Sequence, residues 1–428
     1  MGIDREDLAS LSRTVHRLGG YAEGLFQVHR FGFDQALFRD HVSNVCEMLR
    51  RLSDSTTGPG IPLRPPGLPP GAFWEDPAGS WNHLQTLRFA AGAAMFSEGY
   101  RDQMTPENLL RGLTAKILHK CQIGILDDII DRGSYTYLEA KDLHHVILSS
   151  MIDPDFDPDP LMQRVVSLLK RDQLPLYDLV SRITRGFNEL WNRSPNGHAY
   201  FYQMEVMDER VALGQALSMF QKEPRLNIAR MARVAKAFYA PNRDFAWWEK
   251  LGAHISSTAR YNFIDMAFVD AAYDLGPTDD FLTGWYYFDT AIILMDHVVS
   301  IHEDLREGIA NLALISMREG DLEGQGSLKG YNPRLTPVDY ENQLDRIADL
   351  TSKGLRFVSN AVRDEALYYP FLAIMMPVVM MADWIGNRDE MIHRFLDKIA
   401  PEVRRVAARR VSPPSLMSSW MRVALWMS

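Results

Sequence analysis

The chain has 428 residues, 46% of them hydrophobic and 24% charged, with a formal net charge of −9. That is enough apolar material for a large core, and the acidic balance excludes nucleic acid as the main partner, because a phosphate backbone demands a basic surface. Two cysteines, Cys46 and Cys121, exclude a disulfide framework or a cysteine-built zinc site and fit a reducing compartment, so a cytoplasmic location is expected.

Taken in order, the N-terminal MGIDREDLAS is polar and lacks the apolar core of a secretory signal, and Glu6 stands where a myristoylation signal needs Ser or Thr. Helical periodicity prevails from there on. Residues 6–54 read as one or two amphipathic helices, followed by GPGIPLRPPGLPPG at 58–71, which cannot be helical and is expected to form a loop packed on the main body. Helices are predicted over 81–103 and 106–131, the second with Thr105 as cap and Pro106 in its first turn. The acidic DPDFDPDP at 153–160 lacks the central Gly and closing Glu of an EF-hand loop and reads as a proline-broken loop. Further helices are predicted over 161–174, 179–192, 204–221, 228–239, 247–273 and 281–308. After a glycine-rich gap, Thr336-Pro337 open a long helix to about residue 362, followed by helices over 371–385 and 390–410. The apolar run FLAIMMPVVMMA, interrupted by Pro377, falls short of the roughly 20 residues a bilayer span needs. It predicts a buried, kinked helix and no stable membrane insertion. With no repeat and no boundary, residues 1–428 read as a single all-α domain.

Two acidic clusters set in apolar helical stretches carry the chemistry. The first is Asp127, Asp128 and Asp131 in GILDDIIDRG; the second is Asp296, Ser300 and Asp304, which recur every fourth residue. On a helix, Asp127 and Asp131 lie one turn apart, and the second set forms an oxygen ladder roughly 12 Å long on one face. Carboxylates left unpaired in such surroundings would each cost several kcal/mol, a cost that a hard divalent cation such as Mg²⁺ removes. No GxSxG elbow, Walker A loop, GxGxxG fingerprint or HExxH zinc pair competes. The pattern points to metal-dependent diphosphate chemistry.

The pair of motifs resembles those of class I terpene cyclases: an Asp-rich DDxxD, then an Asn/Asp, Ser/Thr, Glu/Asp triad at four-residue intervals. The context extends the likeness. GIANLAL supplies the Gly (Gly308) and the Asn (Asn311) that follow the triad in microbial members, and WIGNRDEMIHRF supplies Trp384, Gly386, Asn387 and then Arg394-Phe395 in place of an Arg-Tyr pair. The likeness spans residues 123–395, and within the family the chain is taken to resemble fungal humulene synthases. It departs from the pattern at His297, usually acidic, at Glu303, usually basic, at Asp304, where Glu is commoner, and at Phe395, which lacks the Tyr hydroxyl.

The resemblance implies a class I terpenoid synthase helical bundle. It implies three Mg²⁺ ions held between Asp127, Asp128 and Asp131 on one side and Asp296, Ser300 and Asp304 on the other, with Glu303 an additional or substitute ligand. The expected reaction is ionisation and cyclisation of a linear isoprenyl diphosphate, farnesyl diphosphate first, to a cyclic sesquiterpene such as humulene, with release of diphosphate. Arg260 is expected to sense the diphosphate, with Arg394 second, Arg306 third, and Arg230, Arg233 and Arg243 as rivals. Phe89, Phe96, Phe263, Trp285, Tyr286, Phe288, Ile292 and Trp384 are candidate walls of a dry pocket, since aromatic faces favour cations. A homodimer is common for such a fold. The competing readings are an isoprenyl diphosphate synthase, which would carry a second DDxxD, an aromatic prenyltransferase, and an inactive helical scaffold.

Overall fold

The computed structural model describes residues 5–57, 83–170, 176–222, 225–239, 244–256, 258–271, 278–322, 328, 331–361, 368–382 and 389–408. The proline-rich stretch 58–71, Arg243, and the Trp384, Gly386 and Asn387 of the C-terminal motif lie outside them. Among the described residues there are sixteen α-helices and no strand: α1 Arg5–His29, α2 Gln35–Thr57, α3 His83–Ser97, α4 Pro106–Arg132, α5 Tyr137–Ile152, α6 Pro158–Leu168, α7 Tyr177–Asn192, α8 Phe201–Ser218, α9 Ile228–Phe238, α10 Trp247–Ile255, α11 Thr258–Phe268, α12 Thr278–Glu307, α13 Leu312–Leu322, α14 Pro337–Ala361, α15 Tyr368–Met380 and α16 Asp389–Ala408. None is long and apolar enough to cross a membrane. The all-α class is therefore as the periodicity predicts.

Local chemistry sets the helix starts. Thr105 caps α4 by accepting the Asn108 N–H, with Pro106 in the first turn. Thr136 and Glu139 form a reciprocal capping box at α5. Four expectations need correction. The helix expected over 81–103 ends at Ser97, and a separate 3-10 turn follows at Arg101–Gln103. The acidic 153–160 stretch is not loop throughout: Asp157 accepts the Asp159 N–H and Pro158 begins α6. That helix ends at Leu168, not at 174. The single helix expected over 247–273 is broken at Ser256, whose backbone is extended (φ −66°, ψ 140°). The cause lies elsewhere in the chain. The buried Asp289 carboxylate of α12 accepts hydrogen bonds from Ser256 Oγ at 2.7 Å and from Thr258 Oγ1, so the chain restarts as α11 beneath it.

The helix α12 is the axis of the bundle, with α10, α11, α13, α14 and α15 packed around it. α14 comes closest because two glycines face the contact. A Cβ on Gly284 would lie 2.7 Å from Val358 N, and one on Gly354 would lie 3.1 Å from Gly284 O. α11 in turn packs on both α4 and α12, bridging the helices that carry the two acidic motifs. A buried ion pair fixes that bridge: Lys116 Nζ of α4 donates to Asp265 Oδ2 of α11 at 2.8 Å, to Ala93 O of α3 at 2.7 Å and to Ser97 Oγ. All three ammonium protons are satisfied, which lets a charge stand at zero exposure. α2 packs on α3 and α4, and α1 on α3, α15 and α16.

Candidate diphosphate and metal site

The triad helix ends at Gly308, whose φ of +75° is the left-handed conformation glycine adopts without strain. The Gly308 N–H bonds Leu305 O at 3.2 Å and the Ile309 N–H bonds Asp304 O at 2.7 Å, a Schellman closure. The turn sends Asn311 back against the triad. Its amide donates to Asp304 Oδ2 at 2.7 Å and to His297 O at 2.6 Å, while its Oδ1 accepts the Leu314 N–H and so caps α13. Ser300 Oγ also donates to Asp304 Oδ2, at 2.7 Å. Gly308 and Asn311 of the sequence motif are therefore positioning residues: one makes the turn, the other aims Asp304. His297, where the family pattern has an acid, accepts the Leu312 N–H at its Nδ1 (2.9 Å). Burial pulls its imidazole down against the attraction of Asp296 and Asp304, so the ring is held neutral and braces the same turn.

Asp127, Asp128 and Asp131 lie half-buried near the end of α4; Ser300 and Asp304 are half-buried, and Asp296 is exposed. Two lysines lie beside the clusters. Lys222 hydrogen-bonds Asp131, has its Nζ 3.9 Å from Asp127 Oδ2, and is drawn as well by Asp304. Burial opposes its charge, but these three carboxylates together outweigh it and hold the ammonium above its ordinary range. Lys120, on α4, feels both Asp127 and Asp296, together with Asp289; burial outweighs them and lowers it. Burial and the neighbouring charge of Asp127 push the Asp131 carboxyl up, a group that gains from any cation beside it. Among the described residues no three His, Cys, Asp or Glu side chains converge as a ready-made metal cage. The donor set nonetheless suits a hard cation: carboxylate and hydroxyl oxygens from two helices, with a lysine ammonium bonded to Asp131.

Below the clusters, Trp285, Tyr286 and Asp289 of α12 line a small cavity with Arg210 of α8 and Arg260 of α11. Asp289 is pushed up to about 7, chiefly by burial, against the hydrogen bond of Ser256 and the nearby Lys120 and Arg210. Phe96, Phe263, Trp285 and Phe288 fall into one buried aromatic group. Trp285 stands 5.6 Å from Phe96 and 5.4 Å from Phe288 between ring centroids, and Phe263 joins through Phe281 at 5.7 Å. Phe89 is half-buried, with Lys120 Nζ 5.8 Å from its ring centre. Ile292, one turn before Asp296, is half-buried.

The arginines are dispersed. Arg260 is wholly buried and paired with Asp208, a carboxyl that burial raises to about 7. Arg394 is held on the outer face of α16 by Asp345 at 2.9 Å and Glu341 at 3.0 Å of α14. Arg306 is exposed in the last turn of α12, and Arg230 and Arg233 are exposed on α9. Lys120, Arg210, Lys222 and Arg225 are the basic residues the sequence did not single out. A charged QKEPR turn directly after an apolar helix was the available signal for two of them. No family model matches the sequence, nor does any curated protein.

Proposed function

We propose that the chain is a class I terpene cyclase that ionises and cyclises a linear isoprenyl diphosphate, farnesyl diphosphate first, and releases diphosphate. One observation carries this reading. The segment that brings Lys222 onto Asp131 and Asp127 of α4 is bonded through Gln221 to the turn that closes the triad helix α12, and α12 runs from its ladder into an aromatic-lined interior. Bound Mg²⁺ would supply Lewis-acid stabilisation of the departing diphosphate. Asp127, Asp128 and Asp131 would hold it from one side and Asp296, Ser300 and Asp304 from the other. Asn311 and the Gly308 turn keep Asp304 aimed at that space.

The remaining parts of the site serve the hydrocarbon. Trp285, Phe288 and Phe96 offer aromatic faces that favour a cation by about 0.5–2 kcal/mol each, in a region closed to water. Ile292 stands between the ladder and Trp285, where a stiff β-branched side chain limits how a prenyl tail folds. The test is incubation of the full chain with C10, C15 and C20 diphosphates and Mg²⁺, with gas chromatography and mass spectrometry of the products. A cyclic C15 hydrocarbon formed only with Mg²⁺ is expected. A longer diphosphate as the dominant product on adding isopentenyl diphosphate would replace cyclisation with chain elongation.

A further inference from the structure

The segment after α8 ties the two acidic helices together. Gln221 brackets Ala310 in the turn beyond the triad: Gln221 O accepts the Ala310 N–H at 2.7 Å, and its side-chain Nε2 donates to Ala310 O at 2.8 Å. Arg225, four residues on, donates to Ile130 O, Asp131 O and Gly133 O at 2.7, 2.9 and 2.9 Å, closing the end of α4. Lys222 sits between these anchors, which bring its ammonium onto the α4 cluster beside the turn that closes α12. There it bonds Asp131 and lies 3.9 Å from Asp127. Its side chain keeps 35% of its exposure, so it has a path out to solvent.

We propose that Lys222 is a built-in counter-ion of the two acidic clusters, which divalent cations must displace from Asp131 and which then turns to the anion those cations hold. The inference rests on the diphosphate reading above. Carboxylates crowded on two helices repel one another until a cation stands between them, and a tethered ammonium does this without metal. Arg225 cannot take the part, because leaving would uncap α4. Lysine, a single charge on a flexible stem, can move away without breaking either anchor. Metal alone must compete with Lys222, whereas metal arriving with diphosphate gives the displaced ammonium a new partner. Metal and diphosphate therefore strengthen each other's binding, and by linkage the coupling is reciprocal. Glu303 stands where the family pattern has a basic residue before the last acid of the triad. Lys222 restores a positive charge to that region from another part of the chain.

The test is Mn²⁺ binding to the full chain, read from the electron paramagnetic resonance of free Mn²⁺, with and without inorganic diphosphate. Lys222→Gln should bind Mn²⁺ alone about fivefold more tightly than the parent, the scale of one partly exposed charge pair. The gain that diphosphate gives to Mn²⁺ affinity should shrink in the same variant. Lys222→Arg should stay near the parent, and Lys236→Gln, on the exposed side of α9, should change nothing. Mn²⁺ affinity that is unchanged or weaker in Lys222→Gln, or raised equally by Lys236→Gln, overturns the counter-ion role and leaves the metal reading standing. Absence of Mn²⁺ binding in parent and variants alike overturns both.

Discussion

At the scale of single residues, Asp289 makes the fold sensitive to pH. It is buried on α12, two turns before Asp296, and accepts the hydroxyls of Ser256 and Thr258. Burial raises its folded-state value to about 7, whereas an unfolded Asp titrates near about 3.9. Between those values the folded chain keeps a proton that the unfolded chain has released, so this group loses stability for the fold as pH rises. Asp289→Asn removes that titration. The variant should gain on the parent by up to about 1.4 kcal/mol per pH unit between pH 4 and 7, measured by urea unfolding at pH 5 and pH 7. A stability difference that stays constant across that range would show that Asp289 is ionised throughout.

At the scale of elements, α12 acts as a ruler, bearing cavity residues in its first half and the triad in its second. Its position depends on Gly284, where a Cβ would fall 2.6 Å from Val358 Cγ1 and 2.7 Å from the backbone nitrogen of the same residue. Backbone cannot yield as a side-chain tip does. Gly284→Ala should therefore destabilise the fold by about 1–3 kcal/mol in chemical denaturation, and a neutral result would mean that α12 and α14 are less closely joined. Much of this level was legible in the sequence. The 3.6-residue periodicity, Thr105 and Pro106 at α4, and Thr336 before α14 are local signals that act within one turn. The break at Ser256 was not legible, because the group that stabilises it, Asp289, lies 33 residues further along the chain. The same reason separates the parts of the site. The two acidic ladders show themselves by spacing alone, whereas Lys222 owes its place to Gln221 meeting Ala310, a pairing across 89 residues that no local pattern announces. Arg260, chosen from its helix position, turns out to be wholly buried against Asp208. Burial and pairing are tertiary facts.

At the scale of the whole molecule, the relative placement of the two acidic helices rests on buried polar joints as well as apolar packing. Lys116 and Asp265 join α4 to α11 at zero exposure, and Arg260 and Asp208 join α11 to α8. Lys116→Met would strand the Asp265 carboxylate and should cost about 3–5 kcal/mol, seen as a lowered denaturation midpoint, while Lys116→Met with Asp265→Leu should recover much of it. Equal losses in the single and double variants would mean that the site tolerates an unpaired charge. In the proposed reading these joints keep Asp127 and Asp131 of α4 and Asp304 of α12 about Lys222, beside an aromatic interior, and that arrangement is what the proposed function requires. It is tested most directly by Mg²⁺-dependent release of diphosphate from farnesyl diphosphate, comparing the parent chain with Asp127→Asn and Asp304→Ala at matched helicity by circular dichroism. Release by the parent that EDTA stops and Mg²⁺ restores is expected, with at least about a hundredfold loss in each variant. Undiminished release in both variants, or none from the parent with C10, C15 or C20 diphosphates, would contradict it.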